Sequence, residues 1–446
     1  MGHGMGGRFT GVSKIISGVF KSNLFRSAGT YGFFSLLSVA IPFLLLPVMT
    51  RYLTPDDYGI VAIFGVMVTL ATPFVGLSAH GAYGRAFFAP DRFDADVYMG
   101  TVVFFVIATG LAMQGLFYIF RGTLSGIFSF PASWIWAVPL VALSSVIGQI
   151  VLTSWQVREA PKSYGLFQNG RTLSELIGAL GLVVLLGMGW QGRILSKTAV
   201  YVFFAMLGFW VMVKNDWLRP RFNRAYLAHA LCFGVPLIPH GLAGILNTTI
   251  DRVFISHMVG MADTGLYTVG YQIGSIIGLL TTAFNQAYVP WLYRKLNEDS
   301  SGEKIKIVRL TYAYFIIIIF LALFLGLIAP VLMGFLVGRE FQGSVVFVVW
   351  IAMGYAFSGM YYMVVNYIFY AEKTRVLALA TFLGAMINIV LNYFFIKLNG
   401  AVGAAQATSL TYVLTFLFVW YVASKVYPMP WKEALKTTKL KDGEHR

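Results

Sequence analysis

Charge is scarce in this chain. Only 11% of its 446 residues are Asp, Glu, Lys or Arg, against about 25% in a soluble globular domain. Acid is scarcest: 18 Asp and Glu stand against 33 Lys and Arg. Cysteine is nearly absent, and the single Cys232 excludes an internal disulfide and a Cys-rich metal site. No His, Cys and carboxylate group has metal-ligand spacing, so no metal and no other cofactor is expected. No stretch reads G-x-x-x-x-G-K-[ST], which argues against nucleotide hydrolysis. Long polar segments are also missing. The largest, 156–171, 214–228 and 293–307, hold about 15 residues each, whereas a separate catalytic domain needs about 50. An enzyme is therefore not expected, and the helices must carry the function. Met1 to Lys14 lack an apolar core beside a small-residue cleavage site, so no cleavable signal peptide is expected. Gly6 stands where N-myristoylation needs Ser or Thr.

What the chain has is apolar length. Hydrophobic residues make up 58% of it and the mean hydropathy is +0.74. Apolar runs of about 20 residues recur, the length of a membrane-crossing helix, rather than the short alternating segments of a membrane barrel. The fold class expected is all-α: a polytopic membrane protein of about 12 transmembrane helices. The spans read as 29–49, 58–84, 97–120, 133–155, 172–189, 194–213, 229–256, 264–292, 308–336, 344–370, 376–397 and 401–424. Residues 1–28 read as a basic amphipathic segment, with Val12, Ile15, Ile16 and Val19 at helical spacing, suited to anionic membrane lipids. The segments 29–213 and 229–424 read as two six-helix lobes, joined by a cytoplasmic linker at 214–228 and followed by a basic tail at 425–446.

The formal charge of +15 does not point to nucleic acid, because the basic residues lie between spans. With a cytoplasmic N-terminus, 26 of the 33 Lys and Arg fall inside, 6 outside and Arg252 within a span. That asymmetry places both termini in the cytoplasm. The halves also match. Asp57-Tyr-Gly59 opens the second span and Asp263-Thr-Gly265 the eighth; Gln191-Gly192 and Asn399-Gly400 close the two halves. Six spans per half give both halves the same topology, so the repeats should be related by a pseudo-two-fold along the membrane normal.

The candidate site centres on Gly234 to Tyr271. His240, Gly244, Asn247 and Asp251 share a helix face, and Arg252 points about 100° away, so it is not expected to pair with Asp251. Ionisable groups inside a membrane are costly and mark pathways or binding sites. Glu175 is the other acid within a span. It is placed near the cytoplasmic end of span five, with Arg171 one turn earlier as its simplest partner. Arg85 and Arg51 sit at the ends of spans two and one, where snorkelling is the plain alternative. Tyr271, Asn285, Tyr362 and Asn366 lie in polar or aromatic stripes. Rings stack on sugar faces and amides bond hydroxyls, while ordinary helix packing is the competing explanation.

Leu46-Pro-Val-Met-Thr-Arg-Tyr-Leu-Thr-Pro-Asp-Asp-Tyr-Gly59 resembles the signature after the first span of bacterial polysaccharide-export flippases. Gly234-Val-Pro-Leu-Ile-Pro-His240, Asp251-Arg252, Gly265-Leu-Tyr-Thr-Val-Gly-Tyr271 and Phe284-Asn-Gln-Ala-Tyr-Val-Pro-Trp291 are similar to its second-half pattern. The family is that of O-antigen repeat-unit flippases, in the multidrug/oligosaccharidyl-lipid/polysaccharide flippase superfamily. The resemblance implies a two-lobed transporter of the cytoplasmic membrane. It would move a polyprenyl-pyrophosphate-linked oligosaccharide from the inner to the outer leaflet by alternating access, for surface polysaccharide biosynthesis. Arg252, Arg85 and Arg51 would meet the pyrophosphate, since Arg binds phosphate bidentately and stays charged. His240, Asn247, Tyr271, Asn285, Tyr362 and Asn366 would line the cavity, and Asp251 and Glu175 would couple an ion. Polysaccharide polymerase machinery is a further expected partner. The alternative is a drug or cation antiporter of the same superfamily, although such relatives place an acid in the first span and 29–49 contains none.

Overall fold

The computed structural model describes residues 43–298, 300–373 and 375–435, with Phe34, Leu37, Ser38 and Ile41 before them. The amphipathic segment 1–28 and the end of the basic tail lie outside the described residues. Among those described the secondary structure is helical, with no strand. Among the described residues nine helices are long and apolar enough to cross a membrane, so the chain is a multi-pass membrane protein.

The helices are α1 (Phe43–Tyr52), α2 (Pro55–Gly76), α3 (Ala79–Phe87), α4 (Ala95–Ile119), α5 (Arg121–Phe128), α6 (Ala137–Val157), α7 (Pro161–Ala179) and α8 (Gly189–Lys214). There follow α9 (Arg224–Gly234), α10 (Leu237–Met258), α11 (Met261–Gly274), α12 (Ile276–Asn297), α13 (Ser301–Leu336), α14 (Val345–Tyr370), α15 (Arg375–Asn399), α16 (Ala401–Val426) and the short α17 (Trp431–Ala434). Local chemistry marks their starts. Asp94 accepts from the backbone N–H groups of Asp96 and Val97 at 3.1 and 3.2 Å, and Asn223 accepts from those of Ala225 and Tyr226 at 2.9 and 3.3 Å. Each thus caps donors that a helix leaves unpaired.

Four expected spans differ; the eighth, 264–292, is divided at Ser275 between α11 and α12. The stretch expected to begin at 172 already starts at Pro161, because proline at the first helical turn loses no hydrogen bond. Lys162, Gln168 and Arg171 hid this start from a hydropathy reading. Span two is broken between α2 and α3 at Leu77 and Ser78, both in the left-handed region with φ of 43° and 53°. Two such residues without glycine hold about 1–3 kcal/mol of strain each. Span seven is broken between α9 and α10, next to Pro236, which cannot donate within a helix.

The described residues form two compact units. Unit 1 takes residues up to Tyr52 and Met67–Ile238; unit 2 takes Leu53–Val66 and those from Pro239 onward. In unit 1, α6 is the inner helix, with Ile150, Val151, Val141 and Ala142 fully buried. In unit 2, α14 has that place, with Val348, Ala352, Ala356, Val364 and Tyr367 fully buried. Small residues let helices approach closely where no hydrophobic force drives them together in lipid. Gly59 and Gly265, matched between the halves in sequence, meet within unit 2. A Cβ on Gly265 would lie 2.0 Å from the Pro55 carbonyl oxygen and 3.0 Å from the Gly59 nitrogen; one on Gly59 would lie 2.1 Å from the Met261 oxygen.

Candidate substrate and coupling site

The charged centre of unit 2 is built from consecutive residues of α10. Asp251 is 1% exposed and Arg252 9%. The guanidinium Nη1 of Arg252 reaches Asp251 Oδ1 at 3.3 Å, and the same oxygen accepts from the Arg252 backbone N–H at 2.9 Å. Arg252 therefore does pair with Asp251, against the expectation from helix geometry. The 100° separation applies to side chains that extend outward. Here the long arginine side chain folds back along its own helix, also donating to the Thr248 carbonyl at 2.8 Å.

Helix α11 closes the other side. The Tyr267 hydroxyl donates to Asp251 Oδ2. The guanidinium carbon stands 4.4 Å from the Tyr271 ring centroid and 5.7 Å from that of Tyr267, within the range of cation–π attraction. Tyr271 and Tyr355 of α14 share a hydrogen bond of 2.8 Å, and Tyr355 lies against Tyr412 of α16, with ring centroids 5.9 Å apart. The spacing of Tyr267 and Tyr271 by four residues puts both on one face of α11. The result is a buried ion pair held on three sides by phenol rings. A buried pair is favoured when its remaining hydrogen-bonding sites are met, and Tyr267 meets one of them at Asp251 Oδ2. Replacing Tyr267 by Phe keeps the volume and removes the bond to a charged acceptor, and should cost about 1.5–3 kcal/mol of stability. Tyr355→Phe breaks a neutral bond and should cost about 1 kcal/mol. Thermal unfolding in detergent, run on both variants, checks the order.

The other expected site residues divide. Asn285 of α12 and Asn366 of α14 come together, with Asn366 Nδ2 donating to Asn285 Oδ1 at 2.9 Å and to the Tyr362 carbonyl at 2.7 Å. These three form a second polar group of unit 2. Asn247 sits one helical turn before Asp251, its buried Oδ1 without a hydrogen-bond partner among the described residues. The side chain of His240 lies outside the described residues. Arg51 is exposed at the end of α1 and donates to the Pro47 carbonyl at 3.1 Å. Arg85 is exposed on α3. Both belong to unit 1.

Glu175 is a correction. It does not sit near the start of its helix but 14 residues in, since α7 begins at Pro161. Its partner is Arg193 of α8, at 2.9 Å. Arg171 instead stacks on Tyr201, 4.8 Å from the ring centroid. Sequence reasoning counted Arg193 and Lys197, at the start of the sixth span, among the outer basic residues and left Tyr267, Tyr355 and Tyr412 out of the site. The signal for the first pair was present. Arg193, Lys197 and Tyr201 recur every four residues, which makes a stripe on one helix face.

This helical fold recurs in solved structures of other membrane proteins. It superposes on lipid II flippase MurJ in an inward closed conformation with a TM-score of 0.70, covering 91% of this chain and 89% of that one at 15% identity. The inward-facing conformation of a multidrug resistance MATE family transporter matches with a TM-score of 0.58 over 90% and 99% of the two chains, at 16% identity. At such identities the likeness establishes the fold. The polysaccharide biosynthesis protein family model matches residues 48–346, and the chain belongs to that family. A protein of the Lsg locus of Haemophilus influenzae is 25% identical over 417 residues, 90% of this chain and 98% of that one. The capsular polysaccharide biosynthesis protein CapF of Staphylococcus aureus is 22% identical over 406 residues, covering 88% and 97%.

Proposed function

We propose that this protein is a flippase of the bacterial cytoplasmic membrane, with both termini in the cytoplasm. It carries a polyprenyl-pyrophosphate-linked oligosaccharide from the inner to the outer leaflet by alternating access, for assembly of a surface polysaccharide. The observation that carries the reading is membership of the polysaccharide biosynthesis family on a fold shared with a lipid II flippase. Chemistry supports it. In unit 1 an apolar groove of about 330 Å³ is lined by residues that include Met67, Leu70, Phe74, Met113, Phe117 and Phe128. A hydrocarbon chain would fill it without leaving a polar group unpaired.

Asp251 is the coupling residue in this reading. A proton on its carboxyl removes the charge that holds Arg252, and the released guanidinium can take a pyrophosphate oxygen pair instead. Arg85 and Arg51 are further contacts for the pyrophosphate, and Glu175 a second coupling acid. Asn247, His240, Tyr271, Asn285, Tyr362 and Asn366 serve the glycan. Cationic drugs fit the centre less well, because Arg252 would compete with them for Asp251. The test is leaflet exposure in liposomes. Labelled lipid-linked oligosaccharide is loaded on one side and glycosidase access is followed on the other. Wild type should expose it well above the rate of empty liposomes, and an imposed pH gradient should change that rate. Asp251→Asn should lose the response to the gradient; full transport with an intact response would rule out this coupling role. Wild-type exposure no faster than in empty liposomes would refute the function.

A further inference from the structure

Unit 1 holds a second charged group, on α7 and α8, and its charges do not balance. Arg171 lies ten residues into α7, about 15 Å along the helix. Lys197 lies eight residues into α8, about 12 Å along it. Arg193 is one turn before Lys197. All three are half-buried, and the acid among them is Glu175. Its carboxylate bonds Arg193 Nη2 at 2.9 Å, while Arg171 and Lys197 share the Tyr201 ring at 4.8 and 5.6 Å from its centroid. Three cations and one carboxylate leave a formal excess of two positive charges. Charge held mostly out of water is normally neutralised by a partner.

The helices are built to hold these groups together. The Ser196 hydroxyl donates to the Glu175 carbonyl at 3.2 Å, tying α8 to α7 beside the ion pair. Gly148 of α6 leaves room for a guanidinium, since a Cβ there would stand 3.0 Å from Arg171 Nη1. One donor is left over. Arg193 Nη1 is buried and has no hydrogen-bond partner among the described residues, although an unpaired buried charged donor is among the costlier things a protein can keep. An excess of two positive charges, donors at helical spacing and an orphaned guanidinium nitrogen together describe a receptor for a multiply charged oxyanion. A lone surface arginine would snorkel; these side chains face one another across two packed helices.

We propose that Arg171, Arg193 and Lys197 form an anion site on α7 and α8 that takes the diphosphate of a prenyl-linked sugar carrier. This deepens the flippase reading and rests on it, and it adds a diphosphate contact in unit 1 to the one proposed at Arg252. Glu175 acts as the resident counterion, which the diphosphate displaces from Arg193.

The test uses the full-length protein in nanodiscs and farnesyl diphosphate as the probe, with farnesyl monophosphate and farnesol beside it. Arg193→Gln and Lys197→Gln should each weaken diphosphate binding about ten-fold or more, the size of one charge-assisted bond. Arg171→Gln should weaken it in the same direction, and the exposed Arg121→Gln should leave it unchanged. Glu175→Gln should tighten it several-fold, because a competing anion is gone. An ion pair with a purely structural role gives the opposite sign for Glu175→Gln, and that result overturns the proposal. So does unchanged affinity in both Arg193→Gln and Lys197→Gln. If Arg193→Gln fails to fold, Arg193→Lys keeps the charge and should retain binding. Running the series with and without phosphatidylglycerol separates the sources. A site for lipid headgroups would lose farnesyl diphosphate affinity in anionic nanodiscs and bind mono- and diphosphate alike, which also overturns the proposal. Failure of this site and failure of the flippase reading are distinguishable. Wild type that flips oligosaccharide while the variants bind normally removes only the site. Wild type that binds diphosphate through these residues yet flips nothing removes only the function.

Discussion

Replacing Arg252 by Met should destabilise the protein by about 3–4 kcal/mol at neutral pH and abolish transport. The substitution keeps most of the apolar stem and leaves the Asp251 carboxylate, 1% exposed, without its cation. Removing one partner of a buried pair costs about 3–5 kcal/mol. Protonation sets an upper bound. Neutralising a carboxyl of ordinary acidity costs about 1.4 kcal/mol for each pH unit above its usual pKa, or roughly 4 kcal/mol at pH 7. The same bound is about 1.5 kcal/mol at pH 5. The gap between wild type and Arg252→Met should therefore widen as pH rises through this range. Asp251→Asn combined with Arg252→Met removes both charges and should return most of the stability without returning transport. Unfolding midpoints measured at pH 5 and pH 7 for the two variants decide it. A gap that does not depend on pH would mean the carboxylate is balanced by something other than Arg252.

The second large effect is expected at Gly265. A side chain there would start 2.0 Å from the Pro55 carbonyl oxygen, and the obstacle is backbone, which no rotamer change can clear. Overpacking into a filled site costs about 1–3 kcal/mol or more. Gly265→Leu should fall at or above the top of that range and reduce transport at least ten-fold. Gly59→Leu should do the same, since its own Cβ would stand 2.1 Å from the Met261 carbonyl oxygen. Because each glycine crowds the same crossing, the double variant should cost less than the sum of the singles. Strict additivity would mean that the two glycines do not share one contact.

Much of the architecture was legible in the chain because hydropathy is a local property. Long apolar runs with charges confined to short connections imply helices across a membrane wherever they occur. The misread boundaries have local causes as well. The start of α7 carries Lys162, Gln168 and Arg171, and its polarity reads as a loop although Pro161 begins a helix there. The break after Gly76 left little trace, since Leu77 and Ser78 are not residues that favour left-handed backbone, whereas the break after Gly234 is marked by Pro236. The site was legible in part. Asp251, Arg252 and Tyr271 stood out as polar groups in an apolar stretch, and the structure brings them together. Asn285, Tyr362 and Asn366 are also brought together, as a separate group.

By itself the sequence determined the class of this protein: an all-helical membrane protein with few charges, most of them in short connections between apolar runs. Composition and period suffice for that, because the bilayer accepts little else. Partner choice was decided by the tertiary structure. Asp251 is held by its own neighbour and by Tyr267, 16 residues away; Glu175 is held by Arg193, on the next helix. The physical reason is reach. Long side chains and packed helices bring together groups that helix geometry alone assigns to different faces, and in a low-dielectric interior each buried charge must find a partner wherever packing puts one.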